Sequence, residues 1–163
     1  MKHISITTAL GALLCAATLA GCKSAATSVT SYHQQPIECL GVEHDGSQTL
    51  RSYGSGRNKA DAVEQAKKNA VREVIFKGIT HGQPGCQMRP IITEVNAEER
   101  YEHYFNIFFA DGGEYSKYVS MADERSRSKT KTKNAVYVNY RVTVRVLRNE
   151  LKARLKADNV LKK

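Results

Sequence analysis

The chain reads as a single α+β domain, a mostly antiparallel sheet with helices packed on one face. Three observations predict it. Val136, Val138, Tyr140, Val142, Val144 and Val146 alternate with polar residues over eleven positions, the period of a half-buried strand. Val63, Ala66, Ala70 and Val74, widened by Val71 and Ile75, step by three and four along one helical stripe. Asp45-Gly46 lies between two short stretches of strand character, as a hairpin turn would.

Taken in order, Pro36 opens the folded part. Ile37, Cys39 and Gly41 alternate with Glu38, Leu40 and Val42 in a first strand of mixed faces, and residues 48–53 return as the second. Asn58 is placed to cap the first helix, with Asp61 three residues on in the capping-box position. Gly78 ends that helix, and Gly82, Pro84 and Gly85 prevent a quick restart. The Gly54-Ser55-Gly56 stretch before it, flanked by Arg57 and Lys59, invites a phosphate-cradle reading, with plain turn glycines as the alternative. It is neither a Walker loop nor a dinucleotide fingerprint.

Residues 86–92 form a connector, with a brief strand at 90–92. Asn96 and Glu99 repeat the capping-box spacing ahead of Tyr101, Tyr104, Phe105, Phe108 and Phe109, a full helical face made of aromatics. Two readings of that face stand side by side. It is the lid of the core, or a partner-binding surface carried by Tyr101, Tyr104, Phe105 and Phe108. His103 falls off the stripe among acids and reads as exposed and inert. Asp111-Gly112-Gly113 stops the helix, and the type of the following Tyr115, Tyr118, Val119 and Met121 piece is open.

From position 125 bases and hydroxyls alternate strictly: Arg125, Arg127, Lys129, Lys131 and Lys133 against Ser and Thr. A strand would set every base on one side, and a basic loop is the equal alternative. Either way the row is solvated or meets an anionic partner, because like charges are costly to bury together. Lys133-Asn134 can turn it back onto the long valine strand. Asn139, Arg141, Thr143 and Arg145 line the strand's other face, expected to be largely wet. Leu151 and Leu155 mark a closing helix whose late lysines suit its dipole.

The N-terminus carries a different message. Lys2 gives a basic start, residues 4–18 an apolar run, and Leu19-Ala20-Gly21-Cys22 resembles the lipobox of bacterial lipoproteins. The run is too short and too rich in Ser and Thr for a membrane span. The resemblance implies a signal peptide over 1–21, cleavage before Cys22, and palmitate-type acyl chains on that residue, enough for stable anchoring in a membrane. Residues 22–35 are small and polar and read as a flexible tether, leaving 36–163 as the domain. Lys23, not Asp, follows the cysteine, which by the lipoprotein sorting rule points to the outer membrane of the cell envelope. Cys15 would leave with the signal, so Cys39 and Cys86 remain. Outside the cytoplasm they read first as a disulfide, with two separate buried thiols as the rival. Zinc held by His81 and Cys86 lacks the paired-ligand spacing, so no metal and no cofactor is expected.

A Gly-x-Gly turn feeding an Ala-rich helix (Gly54, Gly56, then Ala60, Ala62, Ala66 and Ala70), with a long alternating strand much later, resembles certain small envelope lipoproteins. It is also similar to the N-terminal domain of the flagellar assembly protein T. The aromatic helix falls outside that likeness. The resemblance implies a periplasm-facing assembly or scaffolding module without catalysis.

Composition agrees with a folded domain, since 41% hydrophobic and 25% charged residues are ordinary for one. The formal charge of +9 suits phosphate-rich or acidic surfaces, and the envelope address makes nucleic acid the wrong one. No Gly-x-Ser-x-Gly elbow or His-Glu-x-x-His helix is present, and Glu98, Glu99 and Glu102 are explained by helix capping, so no enzyme is expected. Two functions follow. The first is a lipid-anchored assembly or accessory subunit meeting an envelope protein. The second is a tethered binder of an anionic glycan or lipid through the basic segment. The oligomeric state is open in both.

Overall fold

A computed structural model of the chain describes residues 36–121, 130–133 and 137–161. The stretches expected as signal peptide (1–21) and tether (22–35), with Cys22, and Arg125, Arg127 and Lys129 lie outside the described residues. All described residues belong to one unit, Ser31–Lys163, whose architecture is α+β with a mostly antiparallel sheet.

The chain begins with a hairpin of β1 (Glu38–Val42) and β2 (Gln48–Gly56). Its turn is the expected Asp45-Gly46: Gly46 sits at φ 81°, and the Ser47 N–H donates to the Asp45 carboxylate at 2.8 Å. β2 runs three residues beyond Tyr53, because β6 (Val138–Val146) pairs with it antiparallel at all nine positions. Gln48, Leu50, Ser52 and Gly54 face inward on β2, opposite Val146, Val144, Val142 and Tyr140.

The first helix, α1 (Lys59–Arg72), starts where Asn58 accepts the Asp61 N–H at 3.0 Å. It lays Ala62, Ala66 and Ala70 on β2, all fully buried. Ala62 takes the place expected of Val63, which is half-buried. The helix ends in a π-turn, Glu73–Lys77, closed by the Gly78 N–H donating to the Glu73 carbonyl at 2.7 Å. Its late carbonyls are capped from a distance: Ile91 and Ile92 donate their N–H groups to the carbonyls of Val74 and Ile75 at 3.1 and 2.9 Å. Residues 90–92 therefore form no strand of the sheet, because their backbone is committed to the helix end.

β3 (His81–Gly82) adds to β1 in parallel, the one parallel pairing among the described strands. The aromatic stretch is not one capped helix. Asn96 lies in the left-handed region (φ 56°) and makes no side-chain cap. The chain forms α2 (Ala97–Arg100), breaks at Tyr101, and resumes as α3 (Glu102–Phe108). A 3₁₀ turn, Glu114–Tyr118, then delivers β4 (Val119–Ser120), which answers the open question about that piece.

The sheet order is β3-β1-β2-β6-β4, with β5 (Thr130–Lys133) also on β6. Since β2 occupies one side of β6 throughout, β4 and β5 share the other. β4 takes positions 145–146 and β5 positions 138–141, both antiparallel to β6. They follow one line in one direction, joined by residues 121–129. The last helix, α4 (Arg148–Ala157), buries Leu151 and Leu155 and ties back to the hairpin through Asn149 Nδ2, which donates to the Asp45 carbonyl at 2.8 Å.

One expectation about the sheet needs correcting. Its second face is not largely wet along β6: Asn139 is 8% and Thr143 6% exposed, and Arg141 and Arg145 are half-buried. Thr143 stands opposite Arg51 and between Arg141 and Arg145 on its own strand. Long guanidinium side chains on a pleated surface screen short neighbours, so polarity in the sequence does not translate into exposure.

Candidate interaction surfaces

The aromatic face is the first of three regions that could meet a partner. Phe105, Phe108 and Phe109 are 3%, 2% and 7% exposed, so their rings belong to the core. Phe105 meets Phe76 of the π-turn edge-on at 4.7 Å, Phe109 lies 5.9 Å from Tyr115, and Phe108 stacks on Tyr118 at 6.2 Å. Phe105 and Phe108 are thus corrected from partner-binding to core positions, because their apolar area is already covered within the chain. Tyr101 and Tyr104 remain half-buried at the rim. The Tyr104 hydroxyl donates to Asp158 at 2.6 Å, and Arg154 Nε donates to the same carboxylate oxygen at 2.8 Å. Burial, then the bond to Asp158, raises the Tyr104 phenol well above its ordinary pKa. Ile107, on the outer side of α3, is 60% exposed.

The second region is a cleft of about 410 Å³ beside α1, lined in part by Ser55, Arg57, Asp61, Glu64, Lys68 and Asp111. Its acids are matched to bases: Arg57 with Asp61 at 3.4 Å, Lys67 with Glu64 at 2.8 Å, Lys68 with Asp111 at 2.7 Å. Behind it the fully buried Tyr115 donates its hydroxyl to Glu64, and the Lys68 ammonium lies 5.5 Å from the Tyr115 ring centre. Gly54 and Gly56 are no phosphate cradle. A Cβ on Gly54 would stand 2.0 Å from the Ala62 carbonyl oxygen, so the space beside the glycines is filled by the backbone of α1.

Burial works against a charged Glu64, yet hydrogen bonds from Lys67 and Tyr115 outweigh it and hold the carboxyl below its ordinary 4.5. The folded state is the one with the lower pKa. Glu64 therefore adds stability that is fully present above pH 4.5 and disappears as pH falls through the folded value. Glu64→Gln is expected to flatten the acid limb of the melting temperature plotted against pH. An acid limb identical to that of the unaltered protein would exclude this role.

The third region is the sheet's β5 edge and second face. Of the five bases singled out in the alternating segment, Lys131 and Lys133 lie within the described backbone, in β5, paired with Tyr140 and Val138. The strand alternative thus holds over 130–133, which pairs antiparallel with the valine strand, while Asn134, expected to make the turn, lies outside the described residues. Arg51 was missed by reading for runs of charge. Its signal was the two-residue period of β2, which places it across from Thr143 on the face shared with Arg141 and Arg145. Arg51 pairs with Glu38 at 2.7 Å, and Arg145 lies 3.6 Å from Glu43.

Cys39 and Cys86 are joined in a disulfide with Cα atoms 5.8 Å apart, both almost fully buried. The bridge ties β1 to the connector after α1, beside the Gln83 N–H donating to the Cys39 carbonyl at 3.0 Å. With its sulfur so engaged, Cys86 is no partner for a metal at His81, and His81 Nδ1 lies 2.9 Å from the Thr80 hydroxyl. Among the described residues no three His, Cys, Asp or Glu side chains gather as metal ligands, and no helix is long and apolar enough to cross a membrane. No protein-family model, curated protein or solved structure matches the chain.

Proposed function

We propose that this chain is a lipid-anchored protein of the cell envelope, held through Cys22, whose domain serves as a non-catalytic docking subunit for another envelope protein. The observation that carries the docking role is the sheet architecture. Helices cover one face, while the far side of β6 ends in a short basic strand, β5. The address is supported by the lipobox resemblance of Leu19-Ala20-Gly21-Cys22 and by the Cys39–Cys86 bridge, a bond that persists in oxidising compartments. The outer membrane is the favoured membrane, on the strength of Lys23.

The test is chemical crosslinking in intact cells followed by capture of the acyl-labelled protein. One discrete, stoichiometric envelope protein is expected, together with loss of acyl label and of membrane fractionation in Cys22→Ala. An unlabelled wild-type protein in the soluble fraction would overturn the anchoring. Recovery of glycan or lipid alone, released by salt, would overturn the protein partner in favour of an anionic polymer or lipid.

A further inference from the structure

We infer that residues 80–87 form a redox-sensitive strap over β1, released when a dithiol reduces the Cys39–Cys86 bridge while the rest of the domain stays folded. The strap leaves the core and returns to it through a tight neck. There the Ile79 N–H donates to the Met88 carbonyl at 2.8 Å, and the Met88 N–H to the Ile79 carbonyl at 3.0 Å. The neck is anchored from the core side. Ile79 is 1% exposed, Arg148 Nη2 donates to the Arg89 carbonyl at 2.6 Å, and the Ile91 and Ile92 N–H groups hold the end of the π-turn helix. None of these links passes through the bridge.

The tip is held differently. Within 80–87 Cys86 is buried and every other residue is exposed. The tip therefore gains little from apolar burial, the mark of a segment that opens on its own. Its noncovalent ties are the two-residue pairing of β3 with Glu38 and Cys39, the Gln83 N–H on the Cys39 carbonyl, and Gln48 Nε2 at a long 3.4 Å from the Cys86 carbonyl. A strand of two residues is marginal by itself. The bond keeps the tip beside β1, and cutting it returns the entropy of loop closure to the strap. In the exchange a thiolate of the dithiol attacks one bridge sulfur, and the other leaves as a thiolate and takes a proton. The second thiol of the reagent then displaces the protein from the mixed disulfide. Two electrons and two protons pass to the protein, and the dithiol is oxidised to its own disulfide. Opening releases the Cys39 thiol and the backbone of Glu38 and Cys39 that β3 now engages. A bridge as buried as this one, with cysteines 0% and 2% exposed, can also be a purely structural staple, and the experiment separates the two.

Dithiothreitol is the probe, added without denaturant to the oxidised full-length protein in neutral detergent. Reduction should run faster than global unfolding, whose rate is extrapolated from urea jumps, because breathing of the strap admits the reagent. After reduction the amides of Gln83 and Cys86, which donate to the Cys39 and Gln83 carbonyls, should exchange about a hundredfold faster, the scale of a lost loop closure. The neck amides of Ile79 and Met88 and those joining β2 to β6 should stay about a thousandfold slower than in an unstructured peptide. Cys39→Ala with Cys86→Ala should reproduce the reduced pattern with no reagent present. Reduction no faster than unfolding overturns the inference and leaves the bridge a structural staple. Unchanged exchange at Gln83 and Cys86, or loss of protection across β2 and β6 as well, overturns it equally.

Discussion

Gly54→Ala is expected to destabilise the domain by about 3 kcal/mol, the upper range for forcing extra volume into a packed site. The added Cβ would lie 2.0 Å from the Ala62 carbonyl oxygen and 2.4 Å from the Ala66 nitrogen. Both are helix backbone, so no rotamer change relieves the clash and α1 has to move off the sheet. Movement there also threatens two bonds that stitch helix to strand at 2.8 Å: Ser52 Oγ donating to the Ala66 carbonyl, and Asn69 Nδ2 donating to the Tyr53 carbonyl. Urea unfolding measures the loss, with Gly41→Ala as the control. A Cβ at Gly41 meets nothing within 4 Å, so that variant should stay within about 0.5 kcal/mol of the parent. Equal midpoints for the two variants would show that helix and sheet do not approach so closely.

The second large effect belongs to the bridge. Cys39→Ala with Cys86→Ala, or reduction of the parent, is expected to lower stability by about 2–4 kcal/mol, since the bond spans a separation of 47 residues. Without it β1 and the connector are held at that point by weaker links, such as the Gln83 N–H donating to the Cys39 carbonyl at 3.0 Å. Thermal unfolding with and without reductant gives the answer. The parent should lose melting temperature in reductant and the double variant should not respond. A parent midpoint indifferent to reductant would exclude a stabilising bridge.

The fold was legible where one local rule acted alone. The valine alternation of β6, the Asn58 cap and the Asp45-Gly46 turn each involve neighbours in sequence, and each stands as expected. Legibility failed where a distant element decided. The Asn96 capping pattern is as good on paper as that of Asn58, yet Asn96 adopts φ 56° and the helix breaks at Tyr101. Gly54 and Gly56 carry the composition of an anion loop, and only the position of α1 shows that they make room for a helix. The aromatic stripe specified a buried helical face without specifying what would cover it, and Phe76, Tyr115 and Tyr118 turn out to do so. The arginines of the second face were invisible as a group, because two-residue periods on β2 and β6 bring them together only once the strands pair.

The shared line of β4 and β5 along β6 has one more consequence. An uninterrupted strand would need three residues to cross positions 142–144, whereas nine, 121–129, make the connection. The spacing of the two short strands is set by β6, and β6 is secured over its full length by β2. Chain length at this point is therefore uncoupled from register. A variant lengthened or shortened between Met121 and Thr130 is expected to keep both pairings, β4 on positions 145–146 and β5 on positions 138–141.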